Sequence, residues 1–380
     1  MDVKQESLRL HKEKMGEIEI TGKFNVENKE DLSIVYTPGV AAPCLEIAAD
    51  KEKVYDYTLK GRTIAVITNG TAVLGLGDIG PEGGLPVVEA KALLHKEFAG
   101  VDAFPIALNE NDPDKIVEIC KSIAPGFGGI HLEDIKAPEC FKIEERLIKE
   151  LDIPVYHDDQ HGTSIAVLAG LLNSLKIVDK KIEDIKILIN GAGASGIAIA
   201  KLLIASGAKN IVLADINGAL VAGDNSLNEP QKEIAAMTNK EREVGKLEEI
   251  IKNKDVFIGV SVGNIVTKEM IQTMNKDSII FALANPIPEI LPSEAKKGGA
   301  RIVSTGRGDF KNQVNNLLVF PGIFKGALKG RVTNITDEMK INAAKGIASL
   351  ISSKDLNEDN IIPSVFNKEV VDVVANSLLK

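Results

Sequence analysis

The sequence predicts an α/β protein of two domains, in which parallel sheets are covered by helices, followed by C-terminal helices. The chain has 380 residues, more than one domain of ordinary size needs. Short aliphatic runs alternate with amphipathic helical stretches over most of this length, which is typical of βαβ units. Aromatic residues make up only 4% of the chain and glycine occurs 33 times, a composition that favours α/β layers over an aromatic-rich β-sandwich.

The N-terminal third shows the alternation in its simplest form. Buried strands are predicted at 63–68, 103–108 and 129–132, with helices at 87–98 and 113–123 between them. We expect these elements to form an N-terminal α/β domain over residues 1–160.

The middle of the chain is more regular and predicts a second, doubly wound parallel sheet over residues 161–335. Strands are predicted at 185–190, 211–214, 256–260, 278–283 and 301–304, and helices at 195–206, 247–253 and 268–274. The polar stretch 217–240 is the best candidate for a flexible insertion. Helical patterns at 338–352 and 368–379 form a tail, residues 336–380, that we expect to pack back on the first domain.

Charge and cysteine content restrict the class of protein. The 45 basic residues are outnumbered by 54 acidic ones, for a net charge of −9, which argues against a nucleic-acid partner. The three cysteines lack metal-site spacing and indicate a reduced, intracellular setting. The charged N-terminus and the short apolar runs predict neither a signal peptide nor a membrane partner, so we expect a cytoplasmic protein.

A glycine-rich motif follows the first predicted strand of the second domain. Gly191, Gly193 and Gly196 would permit a tight turn, close approach to a pyrophosphate and close helix–strand packing, respectively. The predicted loop is completed by Ala192, Ala194 and Ser195. The following helix N-terminus would offer unpaired N–H groups to the phosphates. In this context the motif predicts a dinucleotide site of the Rossmann type, and a purely structural glycine turn is the alternative.

Asp215 closes the next predicted strand and bears on the choice of dinucleotide. Its carboxylate can accept hydrogen bonds from ribose hydroxyls and would repel a 2′-phosphate. Ile216, Asn217 and Gly218 supply no cation to receive such a phosphate. NAD is therefore favoured over NADP, although a more distant lysine could still accept NADP.

Two acidic pairs each end a short apolar strand, at Glu133-Asp134 and Asp158-Asp159. The carboxyl ends of parallel strands are where α/β sites assemble, so these carboxylates would repel one another unless a hard cation held them. Mg²⁺ or Mn²⁺ suits such oxygen ligands. The alternative is that they are solvated loop acids or helix caps.

Other polar residues have more than one interpretation. His157 and His161 have the spacing of zinc ligands but lack the accompanying glutamate, and Gly162 suggests a turn, so a supporting role is favoured. Lys91 lies on an apolar helix face, where burial would depress its pKa as a general base requires. Its alternative is an ammonium group that extends to solvent.

Three further residues could contact substrate or serve local structure. Tyr36 begins a turn and offers a phenol hydroxyl, or it simply packs. Asn285 and Asn316 lie near strand or turn ends, where their amides could bind a substrate carboxylate or the nicotinamide ribose. Caps and turns are the common alternative for both asparagines.

The order of these motifs along the chain resembles the small-subunit, bacterial-type malic enzymes over essentially its whole length. The segments that carry the resemblance begin at Tyr36-Thr-Pro-Gly, Thr71-Ala-Val-Leu-Gly-Leu-Gly-Asp, Lys91-Ala-Leu-Leu, Leu132-Glu-Asp-Ile, His157-Asp-Asp-Gln-His, Gly191-Ala-Gly-Ala-Ser-Gly, Ala284-Asn-Pro, Asn315-Asn316 and Phe320-Pro-Gly. The resemblance implies NAD(P)-dependent oxidative decarboxylation of (S)-malate to pyruvate and a homodimer, with the helical segment 7–15 contributing to the interface.

The same resemblance implies roles for individual residues. Lys91 takes the general-base role and Tyr36 the general-acid role, with Asp158 as the neighbouring active-site acid. The implied metal ligands are Glu133, Asp134 and Asp159, and the implied substrate-binding residues are Asn285 and Asn316, with Asn285 also near the cofactor.

Thr71-Ala-Val, which is usual for the small type, stands where the larger eukaryotic-type enzymes carry a carboxylate-binding arginine, so that recognition must come from backbone amides, asparagines or a partner subunit. Two smaller departures are Glu89-Ala90-Lys91, where glycine commonly precedes the lysine, and Asn217 after Asp215, which leaves the nucleotide preference open. The rival functions are an oxaloacetate decarboxylase without useful hydride transfer and a non-catalytic NAD-binding sensor.

Overall fold

Two β-sheets organise the chain. The computed structural model describes residues 2–73 and 75–379, so Leu74 of the resemblance segment lies outside the described residues. The strands of the first sheet are β1 (Thr63–Thr68), β2 (Asp102–Ala107), β3 (Ile130–Leu132) and β4 (Val155–His157). They are ordered β2-β1-β3-β4, and every neighbouring pair is parallel.

The second sheet contains six strands of the described chain. They are β5 (Lys186–Asn190), β6 (Asn210–Asp215), β7 (Gly218–Ala219), β8 (Val256–Gly259), β9 (Ile279–Ala282) and β10 (Ile302–Thr305). Their order is β10-β9-β8-β5-β6-β7, and only β7 is antiparallel to its neighbour. Because β6 and β8 flank β5 on opposite sides, the carboxyl end of β5 is the switch point where open α/β sheets bind ligands.

Helices cover both sheets and continue to the C-terminus. In chain order they are α1 (Val3–Lys14), α2 (Lys29–Val35), α3 (Ala41–Ala49), α4 (Val54–Tyr57), α5 (Gly80–Ala99), α6 (Pro113–Ile123), α7 (Glu139–Glu150), α8 (Asp158–Val178), α9 (Ala194–Ala205), α10 (Glu229–Met237), α11 (Leu247–Ile250), α12 (Lys268–Gln272), α13 (Pro292–Lys297), α14 (Phe320–Gly330), α15 (Asp337–Ser349) and α16 (Glu369–Ser377). This arrangement confirms the predicted α/β class with C-terminal helices.

Helix α8 joins the two sheets through one hydrophobic core. Its buried face contributes Ile165 and Leu168 to a cluster that also contains Ile64 of β1 and Ile189 of β5. By length and composition α8 could cross a membrane, but 67% of its most apolar window is buried inside the fold. A core helix of a water-soluble protein has the same properties.

The C-terminal helices surround this core from the other side. Helix α15 packs on α8, α16 packs on α14 and α15, and α14 reaches α5 of the first sheet. Gly322 and Gly326 on α14 face Val374 and Ala375 of α16, so the two helices approach closely.

Helices α1 to α4 differ from the rest because none of their residues is buried. Large apolar side chains are exposed along this segment, among them Leu8, Phe24, Ile34 and Leu45, which are 63–74% exposed. Apolar surface of this extent marks an interaction site on most soluble proteins.

Three local predictions from the sequence differ from the structure. The helix predicted to start at 87 begins at Gly80, because Pro81 suits a first helical turn. Gly162 lies inside α8 rather than in a turn. The stretch 217–240, predicted as a flexible insertion, contains β7 and α10, whose Ile234 is fully buried against the core.

The central strand β5 offers a test of the shared core. Replacing the fully buried Ile189 by Ala should lower the free energy of unfolding by about 2–5 kcal/mol, since it leaves a cavity between two layers. Urea unfolding followed by circular dichroism measures this change. The matched control Val244→Ala, at a side chain 73% exposed, should change the unfolding free energy by less than about 0.5 kcal/mol. Equal effects of the two substitutions would contradict the assigned core.

Candidate active site

Four carboxylates meet at the carboxyl ends of two neighbouring strands. Glu133 and Asp134 directly follow β3, and Asp158 and Asp159 form the first turn of α8 directly after β4. Because β3 and β4 are parallel partners, the two acidic pairs lie side by side. Glu133, Asp134 and Asp158 are 3%, 2% and 0% exposed, and Asp159 is half-buried. Glu133, Asp134 and Asp158 are therefore part of the interior and not solvated loop residues, whereas Asp159 lies at its edge.

Glu133, Asp134 and Asp159 form a donor set suited to a hard cation. One carboxylate oxygen from each lies within 4.8 Å of the others. The Asp134 N–H donates to Asp159 Oδ2 at 3.1 Å, which fixes the two segments relative to each other. Oxygen ligands in this number are what Mg²⁺ and Mn²⁺ prefer. A second group of His131, Glu133 and Asp158 overlaps the first.

Burial makes this cluster electrostatically demanding. It raises the pKa of Asp158 above its ordinary value, and the adjacent Lys91 ammonium offsets the rise only in part. Burial, followed by the charge of Glu133, also raises the pKa of Asp159. A bound cation would favour the charged forms of both carboxylates.

Lys91 projects from α5 into the carboxylate cluster. Its Nζ pairs with Asp158 Oδ2, lies 3.1 Å from Glu133 Oε1 and stands 4.5 Å from the centre of the Phe320 ring. The residue is 8% exposed, so the alternative in which it extends to solvent is wrong. Burial lowers the pKa of Lys91, but the charges of Asp158 and Glu133 outweigh burial and raise this pKa above its ordinary value. The expected depressed pKa is therefore wrong for this set of charges.

Two buried histidines extend the cluster inwards. His131 Nε2 lies 2.8 Å from Glu133 Oε2, and its Nδ1 lies 3.0 Å from His95 Nε2. Both rings are fully buried, and the His131 ring stacks on Phe324. Burial lowers the pKa of His131 to about 3 and that of His95 well below its ordinary value. Sequence reasoning missed this pair, whose available signals were one histidine two residues before Glu133 and another one helical turn after Lys91.

Glu144 of α7 holds the segment that carries Asp158 and Asp159. Its Oε1 accepts the His157 N–H at 2.9 Å and lies 2.8 Å from His161 Nε2, while its Oε2 accepts from Gln160 Nε2 at 3.0 Å. Within residues 2–73 and 75–379, neither His157 nor His161 belongs to a group of candidate metal ligands. The supporting role predicted for both is thus the better interpretation.

The glycine-rich loop connects β5 to α9 at the switch point of the second sheet. Gly191 has a φ of 122°, and Gly196 packs so closely on the Gly191 carbonyl that a side chain at 196 would collide with it. Ser195 Oγ donates to the Asp159 carbonyl at 2.8 Å, which ties the N-terminus of α9 to that of α8. The loop and the carboxylate cluster are therefore neighbours.

Asp215 ends β6 beside this loop. It is half-buried, and its Oδ1 accepts the Asn217 N–H at 2.7 Å. Lys246 Nζ donates to the Ile216 carbonyl at 3.0 Å, so one cation lies close to the position where a 2′-phosphate would be placed.

The three remaining predicted site residues, Asn316, Asn285 and Tyr36, differ in their surroundings. Asn316 lies against the N-terminal turn of α8, where a side chain on Gly162 would collide with Asn316 and Asp158. Asn285 is exposed in the loop after β9, beside Gly306. Tyr36 follows α2 with 64% of its surface exposed, and no hydrogen bond joins its phenol to the carboxylate cluster in the described part of the chain.

Family comparisons cover both halves of the chain. The model of the malic enzyme N-terminal domain matches residues 15–148, and the model of the malic enzyme NAD-binding domain matches residues 160–380. A protein of Bacillus subtilis named bifunctional malic/malolactic enzyme is 56% identical over 100% of this chain and 93% of its own length. The NAD-dependent malic enzyme of Geobacillus stearothermophilus is 54% identical over 96% of this chain and 76% of its own length.

Solved structures agree with the sequence relatives. The NAD-dependent malic enzyme of Thermotoga maritima superposes with a TM-score of 0.95 at 48% identity and covers 98% of each chain. The malic enzyme of Pyrococcus horikoshii gives a TM-score of 0.95 at 49% identity, covering 99% of this chain and 90% of its own. With both domain models matched and these identities over its full length, the chain belongs to the malic enzyme family.

Proposed function

We propose that this chain oxidises (S)-malate to pyruvate and CO2, with reduction of NAD, at the site formed by the carboxylate cluster and the glycine-rich loop. The observation that carries the proposal is that Lys91 pairs with Glu133 and Asp158 beside Asp159, whose backbone carbonyl accepts a hydrogen bond from Ser195 of the loop. Oxidative decarboxylation of malate is the reaction of the family. The boundaries 1–160, 161–335 and 336–380 are proposed as its domain and tail boundaries.

Glu133, Asp134 and Asp159 are the residues that would hold Mg²⁺ or Mn²⁺, and their clustered oxygens fit such an ion. When bound, the cation supplies Lewis acidity towards the substrate oxygens. Asp158 lies behind this set and pairs with Lys91, so it orients the base instead of adding a ligand. Asn316, which like Asp158 lies against Gly162 of α8, is proposed to bind substrate. Asn285, exposed after β9, is proposed to bind substrate and the nicotinamide ribose.

Lys91 is proposed as the general base that removes the C2 hydroxyl proton while hydride passes to the nicotinamide. It must first lose its own proton, although the neighbouring carboxylates raise its pKa. Neutralisation of their charge by the bound cation would lower that pKa towards the working range. Closure of the cleft would then exclude water during the transfer.

Tyr36 is proposed as the general acid that protonates C3 of enolpyruvate after CO2 has left C4. Its exposure and the unburied helices α1 to α4 support a homodimer in which the partner copy supplies this phenol. The helical segment 7–15, which carries the exposed Leu8, would belong to the same interface.

NAD is proposed as the preferred dinucleotide because Asp215 would repel a 2′-phosphate. The two relatives at 54–56% identity include an NAD-dependent enzyme, while the relatives named NADP-dependent are at 46% or less. Lys246 provides the means by which NADP could still bind. We further propose a soluble, cytoplasmic enzyme.

The proposed activity is tested by following nicotinamide absorbance with malate, with and without Mn²⁺, while pyruvate is trapped. Turnover should require Mn²⁺ and be faster with NAD than with NADP. Because one relative is named a bifunctional malic/malolactic enzyme, lactate should be measured in the same mixture. Absence of turnover with either nucleotide would contradict the proposal. Decarboxylation of oxaloacetate without oxidation of malate would support the rival decarboxylase. NAD binding that does not respond to Mn²⁺ or malate would support the non-catalytic sensor.

Removal of the proposed base should impair the proton transfer and leave nucleotide binding intact. Lys91→Ala is expected to lower kcat by about 10²–10⁴-fold, the usual contribution of a positioned general base. The measurement is steady-state kinetics, with NADH binding by fluorescence as the control for the folded nucleotide site. A near-normal kcat would exclude Lys91 as the base.

Complementation between variants tests the origin of Tyr36. Tyr36→Phe and Lys91→Ala should each be nearly inactive as pure proteins. Mixed dimers would contain one site with both native residues if Tyr36 acts across the interface, so refolding an equal mixture should restore about a quarter of wild-type activity. No gain over the separate variants would place both residues within one chain.

A further inference from the structure

His131 and His95 form a buried chain of hydrogen bonds behind Glu133. The three residues come from two elements: His131 lies in β3, Glu133 directly follows that strand, and His95 lies on α5. Glu133 Oε2 is 2.8 Å from His131 Nε2, and His131 Nδ1 is 3.0 Å from His95 Nε2. Both rings are 0% exposed. No step of the proposed reaction uses either ring.

The proton positions in this chain follow from counting donors and acceptors. A carboxylate oxygen only accepts, so His131 Nε2 must carry a hydrogen, and in the neutral ring its Nδ1 then accepts from the N–H of His95 Nε2. His95 Nδ1 has no hydrogen-bond partner among the described residues. An added proton on either ring, or the opposite tautomer of His131, would either put a hydrogen on the unpartnered His95 Nδ1 or set two N–H groups against each other between the rings, and both are costly for buried groups.

The surroundings leave the rings little freedom to rearrange. The His131 ring stacks on Phe324 with an interplanar angle of 15° and a centroid distance of 5.6 Å. His95 makes edge contacts with Phe320, at 4.8 Å, and with Phe324, at 5.3 Å. The two phenylalanine rings hold the histidines in place and offer no hydrogen-bond partner, and the Tyr156 ring lies edge-on to His131 at 6.1 Å.

We propose that His131, supported by His95, is a positioning residue that directs the carboxylate of Glu133. The hydrogen bond at Oε2 points that oxygen towards the interior and leaves Oε1, 3.1 Å from Lys91 Nζ, facing the site. Glu133 therefore presents one oxygen to a divalent cation. The inference rests on the proposed function in so far as Glu133 is a ligand there, and residues behind metal ligands commonly orient them in this way.

The hydrogen positions can be tested on the wild-type chain. With ¹⁵N-labelled histidine, two-bond nitrogen–proton correlations should show both His131 and His95 protonated at Nε2 and not at Nδ1. Single substitutions of each histidine assign the signals. A His131 ring protonated at Nδ1 would overturn the proposal, and this readout needs neither metal nor turnover.

Binding of Mn²⁺ alone tests the consequence for the ligand. His131→Leu should weaken Mn²⁺ binding by about 10–100-fold, the usual effect of losing a residue that orients a ligand. His131→Gln is the matched variant, since its amide nitrogen can reach the position of the ring Nε2 and donate to Glu133, and it should bind Mn²⁺ nearly as tightly as wild type. Free Mn²⁺ is measured by electron paramagnetic resonance, with NADH binding as the control for folding.

A packing control separates orientation from general stability. Phe281→Leu removes a fully buried ring that makes no ring contact with either histidine among the described residues, so it should lower the unfolding temperature while leaving Mn²⁺ affinity nearly unchanged. Equal Mn²⁺ affinity of wild type, His131→Gln and His131→Leu would overturn the proposal. So would a strong ¹⁴N coupling in pulsed resonance of bound Mn²⁺, because His131 would then be a direct ligand.

Failure of the proposed function has a different signature. A wild-type chain that binds no Mn²⁺ would contradict the metal site at Glu133, Asp134 and Asp159. An Nδ1-protonated His131 in a chain that binds Mn²⁺ would contradict the hydrogen-bond chain alone.

Discussion

The concentration of four carboxylates beside one buried lysine, which pairs with two of them, is the constraint on which the rest of the structure depends. Buried ion pairs contribute little to stability, because loss of hydration offsets their attraction. Their presence therefore indicates chemistry. The fold supplies what the charges need: parallel strands that end together, a helix N-terminus that carries two of the acids, and a long α5 that delivers Lys91.

Helix α8 connects that constraint to the dinucleotide loop. Its first turn holds Asp158 and Asp159, its apolar body fills the core between the two sheets, and its N-terminus is tied to α9 through Ser195. Hydride transfer requires the nicotinamide and the substrate to meet, so a rigid element shared by both sites is the simplest way to fix their separation. The long apolar character of α8 follows from this central position.

The sequence predicted the layered class, most strands and the two acidic pairs, because those features depend on local patterns. It could not predict the raised pKa of Lys91, since that depends on Asp158 and Glu133, which approach only in three dimensions. It also missed His95 and His131, whose partnership requires a helix and a strand to pack together. The prediction of a turn at Gly162 was wrong because this glycine lies in a helix at a close contact with Asn316, which is far along the chain.

The exposed N-terminal helices have a consequence for a newly synthesised chain that has not yet associated with a partner. A single copy already contains the carboxylate cluster, Lys91 and the nucleotide loop, but its Tyr36 faces water. Under the proposed homodimer, such a copy would bind ligands but would remain catalytically inactive until it associated with a second copy. Dimer formation would then be required for catalysis. A copy with a defective Tyr36 would inactivate a site on its intact partner. Natural selection on this segment would thus act on residues that serve the active site of the partner copy and not the active site of their own chain.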